Sequence, residues 1–112
     1  MTIDSYSFGQ MVIDGEVHTS DVIVLPNRVI KGWWRREGHK LWPEDLDDAI
    51  GDASRSLIVG TGSSGLMVVT GETLELLERR GTLLVVEPTS SAWETYNRLS
   101  GPGVVGVFHL TC

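Results

Sequence analysis

The sequence predicts a single α/β domain over residues 1–112, built in three layers. A central, mostly parallel mixed sheet is flanked by helices, and an antiparallel β meander is added at the N-terminal side. Three observations carry this prediction. From residue 43 onward the element signals run α-β-α-β-α-β, the order that gives parallel strands with helical crossovers over the sheet. The segment Leu57–Val59 is an apolar run without alternation, as expected where both sheet faces are covered, with Leu83–Val86 as another buried strand and Val104–Leu110 as the last. Before residue 43, strand signals are separated by short polar turns, the mark of antiparallel neighbours.

Taken in order, Phe8–Ile13 reads as the first strand, and Asp14-Gly15 as the turn that ends it. Asp21–Leu25 is the second strand, stopped by Pro26-Asn27, and Arg28–Trp34 is the third. Pro43-Glu44-Asp45 opens a helix, since proline suits the first helical position and acids favour the positive end of the dipole. Leu46, Ala49, Ile50 and Ala53 form its inner stripe, and Gly51 weakens it. Leu57–Val59 is a buried strand, and Leu66–Val69 is a short apolar extended segment. Thr70 caps a helix over Gly71–Arg80, with Leu74, Leu77 and Leu76 facing inward, Arg79 and Arg80 at its negative end, and Gly81 as the stop. Leu83–Val86 reads as another buried strand. Thr89 or Ser91 caps a helix through Leu99, with Ser91-x-x-Glu94 at capping-box spacing, and Val104–Leu110 closes the sheet.

The chain carries nine basic and fifteen acidic residues, a net charge of −6, which argues against broad binding to nucleic acid or to an anionic membrane surface. Its only cysteine is Cys112, so no internal disulfide forms and a reducing compartment is expected. The opening residues M-T-I-D-S-Y-S-F have neither a basic n-region nor an apolar h-region. No apolar stretch approaches the ~20 residues needed to span a bilayer. A cytoplasmic location is the expectation.

Residues Gly60, Gly62 and Gly65 spell G-x-G-x-x-G behind an apolar strand, the pattern of a dinucleotide-binding loop. That function needs the glycines in the turn from strand to helix, so that the helix N-terminus meets the pyrophosphate. Here Leu66-Met67-Val68-Val69 intervenes before the helix signal at Thr70. Glu87 stands roughly where a ribose-binding acid belongs, but only three strands are read in the parallel part, too few for a two-halved dinucleotide domain. The glycines are read as tight-turn residues, and no cofactor is assigned. The loop also offers a nest of backbone N–H groups with the Thr61, Ser63 and Ser64 hydroxyls, suited to a small anion.

The segment Trp33-Trp34-Arg35-Arg36-Glu37-Gly38-His39-Lys40 is the densest cluster of aromatic, cationic and imidazole groups. Arginine forks recognise carboxylates and phosphates, and exposed Trp and Arg anchor protein interfaces. Two sites follow as candidates. One is an anion site joining Gly60, Thr61, Gly62, Ser63, Ser64 and Gly65 to Arg35 and His39; the other is a partner contact at Trp34, Arg35 and Arg36. His18, His39 and His109 are scattered and no metal-ligand spacing occurs, so no metal site is assigned. His109 reads as a hydrogen-bonded, partly buried residue. Asp45, Asp47 and Asp48 read as a solvated face at a helix start.

Six segments together resemble one family. They are F-G-Q-M-V-I-D-G at 8–15, D-V-I-V-L-P at 21–26, W-R-R-E-G-H at 34–39, L-I-V-G-T-G-S-S-G at 57–65, Y-N at 96–97 and F-H-L-T-C at 108–112. The family is the Mth-type domain of unknown function, named after an archaeal methanogen protein. Its relatives include an adipogenesis-associated protein and the mitochondrial complex I assembly factor three. The resemblance implies an α/β fold with a mixed central sheet and a protein-binding role like that of an assembly factor, and it carries over no catalytic residue. The expected function is therefore a non-enzymatic interaction module with a protein partner, with a homodimer left open. The alternative is a domain or enzyme for a small anionic ligand, at the 60–65 loop and the 34–39 strand end.

Overall fold

A computed structural model describes all 112 residues. Strands β1 (Ile3–Ser7), β2 (Gln10–Ile13) and β3 (Glu16–His18) form a three-stranded antiparallel sheet at the N-terminal end. Only β2 lies inside the segment read as a strand from the sequence. Phe8 and Gly9 make the turn that precedes it, and the polar segments I-D-S-Y-S and E-V-H form its partners. The half-buried Asn97 fixes this sheet to the rest of the molecule. Its side-chain oxygen accepts from the Ile3 amide at 2.9 Å, and its amide nitrogen donates to the Ile3 carbonyl at 2.7 Å. Asn97→Ala leaves both Ile3 backbone groups without partners. It is expected to cost about 2 kcal/mol, measured by urea unfolding, with faster hydrogen exchange at Ile3.

Next come β4 (Val22–Val24) and β5 (Val29–Lys31), an antiparallel pair joined through Pro26-Asn27. The third predicted strand is cut short at Gly32, which takes φ +64° and bends the chain away. Contrary to expectation, β2 and β4 are not neighbours, because the unforeseen β3 lies between them in the chain and they belong to different sheets. After β6 (Lys40–Leu41), the predicted helix from Pro43 proves to be a 3-10 turn over Pro43–Leu46. Further turns continue it, mostly bonded three residues back: Ala49 to Leu46, Asp52 to Ala49, Ala53 to Ile50. Asp and Gly are poor helix formers, and Asp47, Asp48, Gly51 and Asp52 crowd this stretch. The inner stripe is nevertheless as read, with Leu46, Ala49 and Ala53 fully buried and Ile50 packed against them.

Strand β7 (Ser56–Thr61) leads through the glycine loop to β8 (Val68–Val69), which pairs in parallel with β6. Helix α1 (Gly71–Arg80) has the predicted limits. The Thr70 hydroxyl accepts from the Thr73 amide, and Gly81 ends the helix at φ +70°. Leu77 is buried, but Leu74 is exposed, correcting its inward assignment. Strand β9 (Leu83–Glu87) is not buried as its apolar run suggested. It is an edge strand with Leu83 and Val86 turned to the surface. Helix α2 (Thr89–Leu99) starts behind Pro88 without a side-chain cap. The predicted Thr89 or Ser91 cap is absent; the Thr89 hydroxyl is committed elsewhere, to the Gly62 amide and the His109 carbonyl.

Strand β10 (Val104–His109) completes a five-stranded sheet in the order β5-β4-β10-β7-β9. The strands β10, β7 and β9 are parallel to one another; β4 runs antiparallel to β10, and β5 antiparallel to β4. Alternate side chains of the central strands build two cores. Ile23, Leu57, Val59, Val105 and Val107 pack on one face under Leu46, Ala49, Ala53 and Leu77. Val22, Val24, Ile58, Val104 and Phe108 pack on the other, under Ala92 and Tyr96 of α2 and Ile3, Met11 and Ile13 of the N-terminal sheet. The result is the three-layer arrangement expected, with a mixed sheet in the middle.

Candidate functional site

Parallel strands in α/β folds present functional groups at their carboxyl ends. At the carboxyl end of β10, His109 is 7% exposed and its Nδ1 lies 2.8 Å from Oδ2 of Asp21, at the entry to β4. The same oxygen accepts from Nη1 of Arg35 at 2.8 Å, and the other Asp21 oxygen accepts from the Leu110 amide at 2.7 Å. Burial pushes the Asp21 carboxyl up; the hydrogen bonds from His109, the Leu110 amide and Arg35 together outweigh it and hold the carboxyl below its ordinary value.

Arg35 is 8% exposed. Its Nε and Nη2 donate to the Gly38 carbonyl at 3.3 and 2.9 Å, and its guanidinium lies over the Trp33 ring at 4.7 Å. This corrects the reading of Arg35 as a surface contact: it is an interior tie that shapes residues 33–38. The sequence reading did not single out Asp21, although it heads the segment D-V-I-V-L-P. Asp21 draws together three of the six characteristic segments, through its own backbone position, Arg35 and His109.

The glycine loop sits on the other side of the His109 ring. A Cβ at Gly62 would lie 2.8 Å from His109 Cδ2 and 2.2 Å from the Cys112 carbonyl carbon. Backbone N–H groups of the loop are largely engaged. Gly62 donates to the Thr89 hydroxyl at 2.9 Å, Ser63 to the Thr111 carbonyl at 2.6 Å, Gly65 to Gly62 at 3.1 Å and Leu66 to Cys112 at 3.2 Å. Thr61 donates its hydroxyl to the Glu87 carbonyl. The Thr111 and Cys112 oxygens thus take up the Ser63 and Leu66 amides that a small anion would need. The helix following the loop begins only at Gly71, beyond β8.

With Nδ1–H donated to Asp21, the imidazole presents Nε2, which is buried and has no hydrogen-bond partner. Asp21 and His109 have the bonding order of an acid–base pair, but the free nitrogen faces packed atoms. His39, exposed, approaches edge-on with ring centroids 5.9 Å apart. So the structure does bring Arg35, His39 and the 60–65 loop to one place, with His109 between them. No cluster of three or more His, Cys, Asp or Glu side chains comes together to hold a metal ion.

The open concavity lies elsewhere, on the surface beside β5. A groove of about 380 Å³ is lined by Ile23, Ile30, Trp33 and Trp34 and by acids of the 43–53 segment. Trp33 forms part of its wall, with its indole N–H donated to the Asp45 carbonyl at 2.9 Å. Trp34 stands beside it, 76% exposed. Arg36 is at the surface, paired with Glu44 at 2.9 Å and stacked on Trp42 at 4.2 Å. Of the three acids read as a solvated face, Asp47 and Asp48 are exposed, whereas Asp45 is buried. Its oxygens accept from the Arg36 and Trp42 amides at 3.0 and 2.8 Å, replacing the water it was expected to face.

These features define a small mixed α/β domain whose strand end is locked by a carboxylate–guanidinium–imidazole contact and whose open groove lies at a sheet edge. The chain belongs to the family described as a protein of unknown function (DUF498/DUF598), whose model matches residues 3–109. It is similar to the conserved hypothetical protein PH1505 from Pyrococcus horikoshii OT3, at 28% identity over 100% of both chains, with a TM-score of 0.84. A Bordetella pertussis protein described as an Mth938-like domain is 20% identical over 97% of this chain and 85% of its own, with a TM-score of 0.70. A protein from Bartonella henselae described as an outer membrane protein is 22% identical over 98% and 94%, with a TM-score of 0.79. These last two share the fold. In the present chain no helix is long and apolar enough to cross a membrane.

Proposed function

We propose that the chain is a non-enzymatic, assembly-factor-like interaction module of the cytoplasm that binds a protein partner through the surface around Trp34. The observation that carries this reading is the position of that indole: 76% exposed, at the lip of a groove, on a segment braced from inside by Arg35 and Asp45. An exposed aromatic beside a concavity, on a braced segment, is the form a binding hot spot takes. Arg36 adds a polar rim. Residue 35 serves by holding the segment, not by touching the partner.

Trp34→Ala is expected to leave the unfolding midpoint unchanged within about 0.5 kcal/mol, as for surface substitutions generally, while weakening partner binding by about 2 kcal/mol or more. A photo-crosslinker at position 34 should capture a defined protein that the same group at exposed Glu75 of α1 does not. Equal capture from both positions, or none from position 34, would remove the reading. The anionic-ligand reading, by contrast, asks the 62–66 amides to part from Thr111 and Cys112 before a ligand can enter. A melting shift with phosphate or carboxylates that disappears in Ser63→Ala/Ser64→Ala, where both side chains are exposed, would favour it.

A further inference from the structure

We infer that the partner presents an extended basic segment, laid along the free edge of β5 with an arginine or lysine side chain in the groove beside Trp34. This rests on the protein-binding reading above and adds the chemistry of what is bound. Strand β5 has a hydrogen-bonded neighbour on one side only. An exposed edge of this kind accepts another extended chain through main-chain hydrogen bonds, and alternate side chains of the added strand then fall on one face of the sheet. On the groove face the floor is Ile30, its cross-strand partner Ile23, and Trp33.

Charge decides what that side chain is. Of the groove's acids, Asp45 is engaged with backbone amides and Glu44 is paired with Arg36, but Asp47 and Asp48 are exposed and form no ion pair. A cation entering over the apolar floor meets these carboxylates and the face of an exposed indole, which adds cation–π attraction. An acidic side chain would meet repulsion. A second copy of this chain, at net charge −6, brings the same acids to the same edge and is disfavoured as the occupant. The other free edge, β9, carries exposed Leu83 and Val86 but borders no groove, so it does not offer this recognition.

The test is a backbone and indole amide titration of the whole chain by NMR. The probes are a short synthetic peptide of alternating Val and Thr with a central Arg, the same peptide with Glu or citrulline in place of Arg, and free arginine amide. The inference expects the Arg peptide to shift the Val29–Gly32 amides and the Trp34 indole. Affinity should fall about tenfold or more with the Glu peptide, with added salt, and in the Asp47→Asn/Asp48→Asn double variant. Equal binding of Arg and Glu peptides, or shifts centred on β9, would overturn it. So would saturation of the same shifts by free arginine amide at the peptide's own affinity, which would mean a small cationic ligand in place of a strand. The two levels fail separately. If the position-34 crosslink to a protein persists unchanged in Asp47→Asn/Asp48→Asn, protein binding stands and the basic segment does not. If position 34 captures no protein, the module reading itself is gone.

Discussion

Gly62→Ala should be the most damaging of the three glycine-loop substitutions, at about 4 kcal/mol, most of the stability of a domain at the low end of the ordinary range. Two costs combine. Gly62 has φ +102°, where any residue with a Cβ is strained by about 1–3 kcal/mol. The new methyl would also stand 2.2 and 2.5 Å from the Cys112 carbonyl carbon and oxygen and 2.8 Å from His109 Cδ2. Two of those three neighbours are backbone atoms, so relief requires moving the tail off the loop. At Gly60 the backbone has no unusual φ, and an added Cβ meets chiefly side-chain atoms, Phe108 Cδ1 at 2.7 Å and Thr89 Oγ1 at 2.8 Å. Overpacking of that kind costs about 1–3 kcal/mol. Gly65 has φ +68°, but its Cβ would make only ordinary contacts at 3.6 and 3.7 Å, so about 1 kcal/mol is expected there. Urea unfolding of the three alanine variants should therefore rank Gly62 above Gly60 above Gly65. An equal, small cost at all three would mean that the loop does not pack on residues 109–112. The three glycines then have separate physical reasons: room for α2 at Gly60, room for the tail at Gly62, and a turn at Gly65.

What could be read in the sequence was what is encoded locally. Helix α1 was legible to its last residue because Thr70 and Gly81 act on their immediate neighbours, as hydroxyl cap and left-handed stop. The central strands β7 and β10 were legible because burial on both faces leaves a continuous apolar run. The same run misled at β9, since apolarity does not say whether a strand lies inside a sheet or at its edge. The strands β1 and β3 were missed because their mostly exposed residues carry little apolar pattern. At 43–53 the inner stripe was right and the helix wrong: side-chain spacing fits successive 3-10 turns nearly as well as an α-helix. The site divides in the same way. Trp34 was picked for its chemistry and proves exposed, while Arg35, beside it and chemically just as suited, proves buried. Asp21 supplies the charged partner behind the difference, across fourteen residues to Arg35 and eighty-eight to His109. No local signal marks such contacts, although the segments that share them were the ones that resembled a family.

Asp21→Asn is the second substitution with a large expected effect, and it tests this hub directly. The amide can still accept a hydrogen bond, so the change removes charge more than shape. It leaves the Arg35 guanidinium, whose side chain is 5% exposed, with no carboxylate partner. Breaking one side of a buried ion pair typically costs 3–5 kcal/mol. Because the Asp21 side chain retains 18% exposure, the low end of that range, about 3 kcal/mol, is the expectation. The pH dependence gives the sharper test. The Asp21 carboxyl is held below its ordinary value in the folded chain. The stability it contributes is therefore fully present above the unfolded carboxyl pKa of about 4, and is lost as pH falls from there through the depressed folded value. Wild type should lose this contribution on acidification, whereas Asp21→Asn never had it. The difference between their urea midpoints should thus be full near neutral pH and shrink steadily below about pH 4. A difference that stays constant into acid would mean that Asp21 acts by shape, and not as the anion that holds Arg35 and His109. A double-mutant cycle with Arg35→Gln separates these cases. Coupling of about 1–3 kcal/mol at neutral pH, fading in acid, is the signature of the charge pair.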